Sequence, residues 1–152
     1  MGRKDTPPPE ASLGRSLTYR LHLLHKLTDQ VSQQSYPEMV GLSLSDGRCL
    51  ATVGAFGPLS VNELAEHSNL NKSQASRAAQ ALVDGGLVEK VDHPDDGRGV
   101  LLSLTALGRK LWKPTMELIV RRNEEIFGCL SSQEQAVLSQ FFDRLIEHNR
   151  RG

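Results

Sequence analysis

The amino-acid sequence predicts a mostly α-helical fold with one small β-hairpin. Apolar residues recur at helical spacing over most of the chain, which is the pattern of amphipathic helices. Two short apolar runs, Leu87–Val91 and Val100–Leu104, flank a segment rich in aspartate, proline and glycine, and this arrangement indicates a hairpin. With 152 residues, the chain is long enough for one domain that buries about two-thirds of its unfolded surface. We therefore expect a single domain over residues 12–152, preceded by a mobile, proline-rich tail at residues 1–11.

Helices are expected at both ends of the chain. The first should start at Ser12 and end before Tyr36-Pro37, because the residue before a proline is displaced from the α region. A long helix should begin at the cap Thr105, and a capping box at Ser131–Glu134 should begin the last helix. The apolar stripes of the first and last helices are Leu13, Leu17, Leu21, Leu23, Leu24, Leu27 and Val31, and Leu138, Phe141, Phe142 and Leu145. One chain could bury these stripes as an internal bundle, or two chains could interleave them as a dimer.

A further helix is expected before the middle of the chain. It should run from Ser45 to Phe56, with Leu50, Val53 and Phe56 on its inner side. Gly57-Pro58 should end it. Two glycines inside this segment lower its intrinsic helix propensity, so packing against other elements must hold it in place.

The stretch from Leu59 to Leu104 organises the chain as helix, turn, helix and hairpin. Ser60–Glu63 is a capping box that begins the first of these helices. A short turn then leads to Asn71, which should cap a second helix that ends at Gly85-Gly86. The inward stripe of the first helix is Val61, Leu64, Ala65 and Ser68. This spacing is that of a helix-turn-helix.

The second helix of this pair has two unlike faces. At about 100° per residue, its inner face carries small or aliphatic side chains: Ala75, Ala78, Ala79 and Leu82. Its outer face carries Ser73, Ser76, Arg77 and Gln80. This outer face contains no acidic residue, and its side chains can hydrogen-bond to base edges and phosphates. Ordinary solvated helix faces have similar residues, but the helix-turn-helix spacing favours DNA recognition.

The chain resembles the MarR family of winged helix-turn-helix regulators from roughly Leu13 to Arg150. The resemblance rests on Gly86-Leu87-Val88-Glu89-Lys90, on His93-Pro94-Asp95-Asp96-Gly97-Arg98 and on Leu104-Thr105-Ala106-Leu107-Gly108-Arg109. These segments are similar to the family's Gly-Leu-Val strand, its wing with an Asp-x-Arg pair, and its closing Leu-Thr-x-x-Gly. Asp96 and Arg98 match the wing pair, and Ser73, Ser76 and Arg77 match positions on the recognition helix.

The resemblance implies a winged helix-turn-helix DNA-binding part at residues 43–104, flanked by dimerisation helices at residues 12–36 and 105–150. It also implies a homodimer that binds a pseudo-palindromic operator in double-stranded DNA, as a repressor that a small, often aromatic ligand releases. In the family the wing arginine enters the minor groove and the wing aspartate holds it there. The expected DNA-binding residues are therefore Lys72, Ser73, Gln74, Ser76, Arg77, Gln80, Asp96 and Arg98. The residues that would bind the ligand are not identified by the sequence.

Composition narrows the classes of function. The 18 basic and 18 acidic residues give a formal net charge of zero, which argues against a generic polyanion binder. The same neutrality motivates an alternative, a winged-helix protein-interaction module that does not recognise DNA. Neither a membrane span nor a signal peptide is expected, and two cysteines are too few for a secreted disulfide scaffold, so the cytoplasm is the simplest compartment. Motifs of catalytic sites are absent from the sequence, so no enzyme is expected.

A metal- or redox-responsive regulator is a second alternative. His22 and His25 share a helix face and could bind a metal, but no neighbouring carboxylate or cysteine completes a site. We therefore expect no metal and no other cofactor. Cys49 and Cys129 are weak candidates for oxidation sensors, because a buried cysteine usually acts as a small hydrophobe. Trp112 is expected in the core or at the joint between the DNA-reading and dimer parts, where it could also touch a ligand.

Overall fold

Six helices and one antiparallel hairpin form the part of the chain that the computed structural model describes, residues 12–95 and 99–150. The helices are α1 (Leu17–Val40), α2 (Leu44–Phe56), α3 (Val61–Ser68), α4 (Lys72–Asp84), α5 (Ala106–Phe127) and α6 (Ser132–Arg150). The strands β1 (Val88–Asp92) and β2 (Val100–Leu104) lie between α4 and α5. The mostly helical class with a small hairpin is confirmed, whereas the expected tail at residues 1–11 lies outside the described residues. None of the described helices is long and apolar enough to cross a membrane.

Helix α1 differs from its prediction at both ends. It begins at Leu17, where the Oγ atom of Ser16 accepts a hydrogen bond from the Tyr19 amide at 3.3 Å. The predicted end before Tyr36-Pro37 is wrong, because the helix continues to Val40 and ends at Gly41 in the left-handed region, with φ 72°. The restriction before proline is a preference that packing can override. Here the ring of Tyr36 is 4% exposed, and its burial stabilises the last turn.

Helix α2 matches its predicted span within one residue, but one inward residue is misplaced. Leu50 and Val53 are buried, whereas Phe56 is 57% exposed and the prediction that it points inward is wrong. Phe56 lies in the last turn and stacks on the ring of His67, with 4.5 Å between the ring centroids. Contact with an aromatic ring on α3 thus replaces burial in the core.

The two glycines of α2 admit aromatic rings from other helices. A Cβ atom at Gly47 would overlap the ring of Tyr36, and one at Gly54 would overlap the ring of Trp112. Trp112 Nε1 also donates a hydrogen bond to the Ala51 carbonyl at 3.1 Å. Trp112 therefore links α5 to α2, whereas its expected place at a joint between a DNA-reading part and a dimer part stays a prediction.

The main hydrophobic core lies under the helix-turn-helix. Its fully buried leucines come from α2, α3, α4, β2 and the segment before α3: Leu50, Leu64, Leu82, Leu102 and Leu59. Leu59 forms an isolated β-bridge with strand β2. In this bridge the Leu102 amide donates a hydrogen bond to the Leu59 carbonyl at 2.7 Å. This bridge was not predicted, and it anchors the hairpin to the start of the helix-turn-helix.

The terminal helices carry their apolar stripes on the surface. Leu17 and Leu21 on α1 are 81% and 60% exposed, and Phe141 and Leu145 on α6 are 50% and 56% exposed. Helix α6 begins at the predicted capping box, in which the Glu134 amide donates to Ser131 Oγ at 3.1 Å, yet it has no buried residue. The described part of a single chain therefore does not form the internal bundle that the sequence left open.

Candidate nucleic-acid interface

A capping box and a left-handed turn set the angle of the first helix of the helix-turn-helix. The Glu63 amide donates to Ser60 Oγ at 3.1 Å, and the Ser60 amide donates to the Glu63 carboxylate at 3.3 Å. Helix α3 ends at Asn69, whose φ of 59° turns the chain towards α4. Asparagine tolerates this left-handed conformation better than most residues other than glycine. Leu64 and Ala65 are buried, so α3 is fixed to the core by its predicted inner face.

Helix α4 is held by its small inner face. The predicted cap is confirmed, because the Gln74 amide donates to Asn71 Oδ1 at 2.8 Å. The predicted inner residues are all buried: Ala75, Ala78, Ala79 and Leu82. Their small side chains let the backbone of α4 approach the core closely.

The outer face of α4 is exposed along its length. Each expected DNA-binding residue on this helix is exposed: Lys72, Ser73, Gln74, Ser76, Arg77 and Gln80. The structure thus brings them to one surface, although the Gln74 carboxamide oxygen already accepts from the Asn71 amide at 3.2 Å. The cap therefore limits Gln74 as a contact residue, whereas Arg77 extends from the middle of the face.

The prediction of an acid-free outer face is wrong at its C-terminal end. Gln80 Nε2 donates to Asp84 Oδ1 at 2.8 Å, so a carboxylate lies one turn further along the same face. Lys90 Nζ on β1 donates to Gln80 Oε1 at 3.4 Å. Sequence reasoning missed Lys90, because its proximity to α4 depends on how the hairpin folds back along that helix.

The two strands of the hairpin are paired along their whole length. The strands pair from Val88 with Leu104 to Asp92 with Val100, and the His93 amide donates to the Gly99 carbonyl at 3.1 Å. The two arms are therefore still paired where the tip begins. The expected minor-groove residues Asp96 and Arg98 belong to that tip and lie outside the described residues.

A cleft of about 600 Å³ lies among α1, α2, α5 and the end of α3. Its walls come from α1, α2, α5 and the end of α3, and they include Tyr36, Arg48, His67, Asn69 and Arg122. Burial raises the pKa of the Tyr36 hydroxyl, against the opposing effect of the two nearby arginines, so the hydroxyl is a neutral hydrogen-bonding group. Trp112 is not among the residues that line this cleft.

Both arginines of the cleft are anchored. Arg122, which is 7% exposed, donates from Nε to Ser32 Oγ and from a terminal nitrogen to the Thr28 carbonyl, both at 3.0 Å. Arg48 donates to Asp29 Oδ1 at 3.1 Å and is only half-buried. Arg122 also donates to Glu125 Oε2 at 2.7 Å, so each of the two guanidinium groups is held in place by a carboxylate.

The candidate sensing residues have ordinary surroundings. His25 Nε2 lies 3.3 Å from Asp29 Oδ2, so the prediction that no carboxylate lies near this histidine is wrong. Within residues 12–95 and 99–150, no group of three or more His, Cys, Asp or Glu side chains could hold a metal. Cys49 is fully buried, and burial raises the pKa of its thiol to about 11, which makes it the small hydrophobe that was expected, whereas Cys129 is exposed.

Helix, turn, helix and paired wing strands define a winged helix-turn-helix regulator of transcription. Comparison with known proteins agrees, because the sequence model of the MarR family matches residues 40–99. The HTH-type transcriptional regulator YxaD of Bacillus subtilis is 33% identical over 112 residues, which cover 74% of this chain and 78% of that protein. The chain belongs to the MarR family. It is a transcriptional regulator rather than an enzyme.

Two further relatives extend the likeness to nearly the whole chain. The HTH-type transcriptional repressor Rv2887 of Mycobacterium tuberculosis is 27% identical over 136 residues, which cover 90% of this chain and 94% of the repressor. The structure of Rv2887 has been solved in complex with salicylic acid. It has a TM-score of 0.68 to this chain at 22% identity, and the match covers 93% of this chain and 98% of Rv2887. A second structure of Rv2887 is in complex with DNA. It has a TM-score of 0.67 at 22% identity, and the match covers 86% of this chain and 97% of Rv2887. A MarR/EmrR family regulator from Acinetobacter sp. ADP1 has the same fold, with a TM-score of 0.84 at 18% identity over 92% of this chain and 99% of that one.

Proposed function

We propose that this regulator is a homodimeric repressor that reads a pseudo-palindromic operator and is released by a small, often aromatic ligand. The proposal that the protein reads DNA rests on helix α4, which has one buried face and one exposed face. Its alanine-rich side is buried in the core, while its polar side is exposed from Lys72 to Gln80. A helix held in this way can enter the major groove of B-DNA, which is about 12 Å wide.

The proposed contacts fall into two groups. Ser73, Ser76, Arg77 and Gln80 face base edges in the major groove, with Lys72 and Gln74 beside them. The wing pair Asp96 and Arg98 serves the minor groove, a role that rests on the resemblance of the wing motif. Guanidinium is planar and permanently charged, and it is attracted to narrow minor grooves.

The exposed apolar stripes of α1 and α6 support the dimer. Contiguous apolar patches of this kind are rare on monomers and mark protein interfaces. We assign residues 12–36 and 105–150 to dimerisation and residues 43–104 to DNA binding. A two-fold dimer would place its two α4 helices about one DNA turn apart, which is why the operator should be pseudo-palindromic.

The cleft between these parts is the proposed ligand site. It touches α1 and α5 on one side and the turn at Asn69 that precedes α4 on the other. A bound ligand could therefore change the position of α4 relative to the dimer helices. The guanidinium of Arg48 beside the Tyr36 ring suits a small aromatic acid, and the related Rv2887 has been solved with salicylic acid.

Fluorescence anisotropy with DNA from upstream of its own gene tests the proposal. We expect tighter binding than to a scrambled duplex of the same length and composition, with a preference that persists as salt is raised. Equal affinity for both duplexes would instead favour the protein-interaction module that the zero net charge motivates.

Two arginine variants test the division between the grooves. Arg77→Ala should relax the base preference by about 1–3 kcal/mol if Arg77 reads a guanine edge. Arg98→Ala should weaken binding to operator and random DNA alike and reduce the salt slope. Lys113→Ala removes the same charge at an exposed residue of α5 that is not among the proposed DNA contacts, and it serves as the control. Equal losses on both DNAs for Arg77→Ala would contradict the division.

A thermal-shift screen of small aromatic acids tests the proposed release. A true effector should raise the melting temperature and weaken operator binding, and Arg48→Ala should reduce both effects. Zinc, a chelator and peroxide should leave the DNA affinity unchanged. A response to any of these three would favour the metal- or redox-responsive alternative.

A further inference from the structure

The C-terminal end of α4 carries a polar network that links it to the hairpin. Gln80 Nε2 donates to Asp84 Oδ1 at 2.8 Å, and Lys90 Nζ donates to Gln80 Oε1 at 3.4 Å. All three residues are exposed, so the network lies on the outer surface of the helix-turn-helix. Neither Asp84 nor Lys90 belongs to the set of expected DNA contacts.

The chemistry of the two partners fixes the polarity of the Gln80 amide. A free glutamine carboxamide can exchange its oxygen and nitrogen by rotation, because each end is polar. Ionised aspartate only accepts hydrogen bonds, and lysine only donates them. With Asp84 at one end and Lys90 at the other, a single orientation satisfies both contacts, with the NH₂ group towards Asp84 and the oxygen towards Lys90.

We propose that Asp84 and Lys90 are positioning residues that set the base preference of Gln80. The inference rests on the proposed binding of DNA by α4. After the two internal hydrogen bonds, Gln80 keeps one N–H donor and one oxygen lone pair. Adenine presents the complementary pair in the major groove, the N7 acceptor and the N6 donor. The fixed amide therefore selects adenine at one position of each half-site.

A purely electrostatic role for these residues makes a different prediction. Asp84 would repel phosphates and Lys90 would attract them, so replacing either would change the affinity for every DNA sequence and the slope with salt. A positioning role changes which base is preferred and leaves the affinity for random DNA almost unchanged. Base preference and salt slope therefore separate the two roles.

Binding selection from a randomised-operator library, with the full chain, tests the proposal. Gln80→Ala should lower the adenine preference at one position per half-site by about fivefold or more. Asp84→Asn, which removes the acceptor-only partner, and Lys90→Met, which removes the donor, should each lower it by about threefold. Lys90→Arg keeps a donor-only group and should retain the preference.

Two neighbours provide matched controls. Asp92→Asn and Glu89→Gln remove one acidic charge each from exposed positions of β1 and should leave the base preferences unchanged. Melting curves of every variant check that the fold is retained. A change in overall affinity for Asp84→Asn and Lys90→Met without a change in base preference would overturn the proposal.

The result also separates this inference from the proposed function. If the unmodified protein shows no sequence preference at all, the proposed DNA reading fails and this inference fails with it. If the protein selects an operator but Gln80→Ala leaves every base preference intact, only the positioning role is overturned.

Discussion

The part of the chain from α2 to β2 and the terminal helices α1 and α6 bury their apolar residues in different ways. Helix α2 has seven buried residues in 13, whereas α6 has none in 19. Both helices have a serine N-cap whose side chain accepts a hydrogen bond from the backbone amide three residues later. The two helices therefore do not differ in how they are capped. The part from α2 to β2 thus completes its core within one chain, while the terminal helices leave their apolar stripes exposed.

The difference shows that an amphipathic pattern does not reveal what will cover it. The stripe on α6 has the same period as that of a helix packed within its own chain. Only the position of the neighbouring elements decides whether the stripe is covered internally or left on the surface.

Leu50→Ala should give the largest effect, because it opens a cavity in the core under the helix-turn-helix. We expect the free energy of unfolding to fall by about 2–5 kcal/mol. Leu107→Ala, at a leucine that is 56% exposed, is the control and should cost much less. Denaturant unfolding at one fixed protein concentration measures both, and similar losses would contradict the position of the core.

The two cysteines differ in burial and should therefore differ in reactivity, because Cys49 lies in the core and Cys129 is exposed. Burial raises the pKa of Cys49 from 9.0 to about 11, so at pH 8 it should hold roughly 100-fold less thiolate than an unperturbed thiol. We expect a thiol reagent to modify Cys129 promptly and Cys49 only after unfolding. Cys129→Ser should abolish the prompt reaction.

The same shift gives a pH dependence of stability. The folded state favours the neutral Cys49 thiol, so this contribution is complete below about pH 9 and is lost as the pH rises towards about 11. Cys49→Ala should remove this part of the alkaline decline in the unfolding free energy. An unchanged decline would contradict the assignment.

Phe141→Glu should disrupt the proposed dimer, because it places a carboxylate in an apolar interface. The dimer dissociation constant should rise at least about tenfold, as measured by sedimentation. Gln140→Glu adds the same charge on the opposite side of α6 and should leave the dimer intact. If the two variants behave alike, the α6 stripe is not the interface.

The smallest effect should come from the helix caps. Asn71→Ala and Ser131→Ala each remove a capping acceptor, at a cost of about 1 kcal/mol. Amide exchange should show that the first change lowers the stability of the whole helix-turn-helix, whereas the second loosens mainly the start of α6. Protection lost equally throughout the chain in both variants would contradict the distinction between the two parts.

Local chemistry accounts for most of what the sequence predicted correctly. Ser60 and Asn71 begin α3 and α4 as expected, because capping depends only on residues within one turn. The buried and exposed faces of α4 follow from helical spacing alone. The wrong predictions concern contacts between different elements. Helix α1 continues past Tyr36-Pro37 because the Tyr36 ring is buried, and Phe56 points outward because it stacks on His67.

Some features of the candidate site could also be predicted from local spacing, whereas others depend on contacts between elements. Ser76 and Arg77 could be placed on the outer face from their spacing, but the link from Lys90 to Gln80 joins residues ten positions apart on different elements. Likewise, the carboxylate of Asp29 pairs with Arg48, and the wall of the cleft brings α5 together with α1, α2 and the end of α3, which come much earlier in the chain. No local pattern contains these contacts.

The sequence by itself determined the order of the helices, their caps, the hairpin strands and the polar face of α4, because each depends on residues within a few positions of one another. The tertiary structure decided which apolar stripes are covered, where the cleft opens and how the Gln80 amide is oriented. These features depend on distances between elements, and such distances are fixed only when the whole core packs.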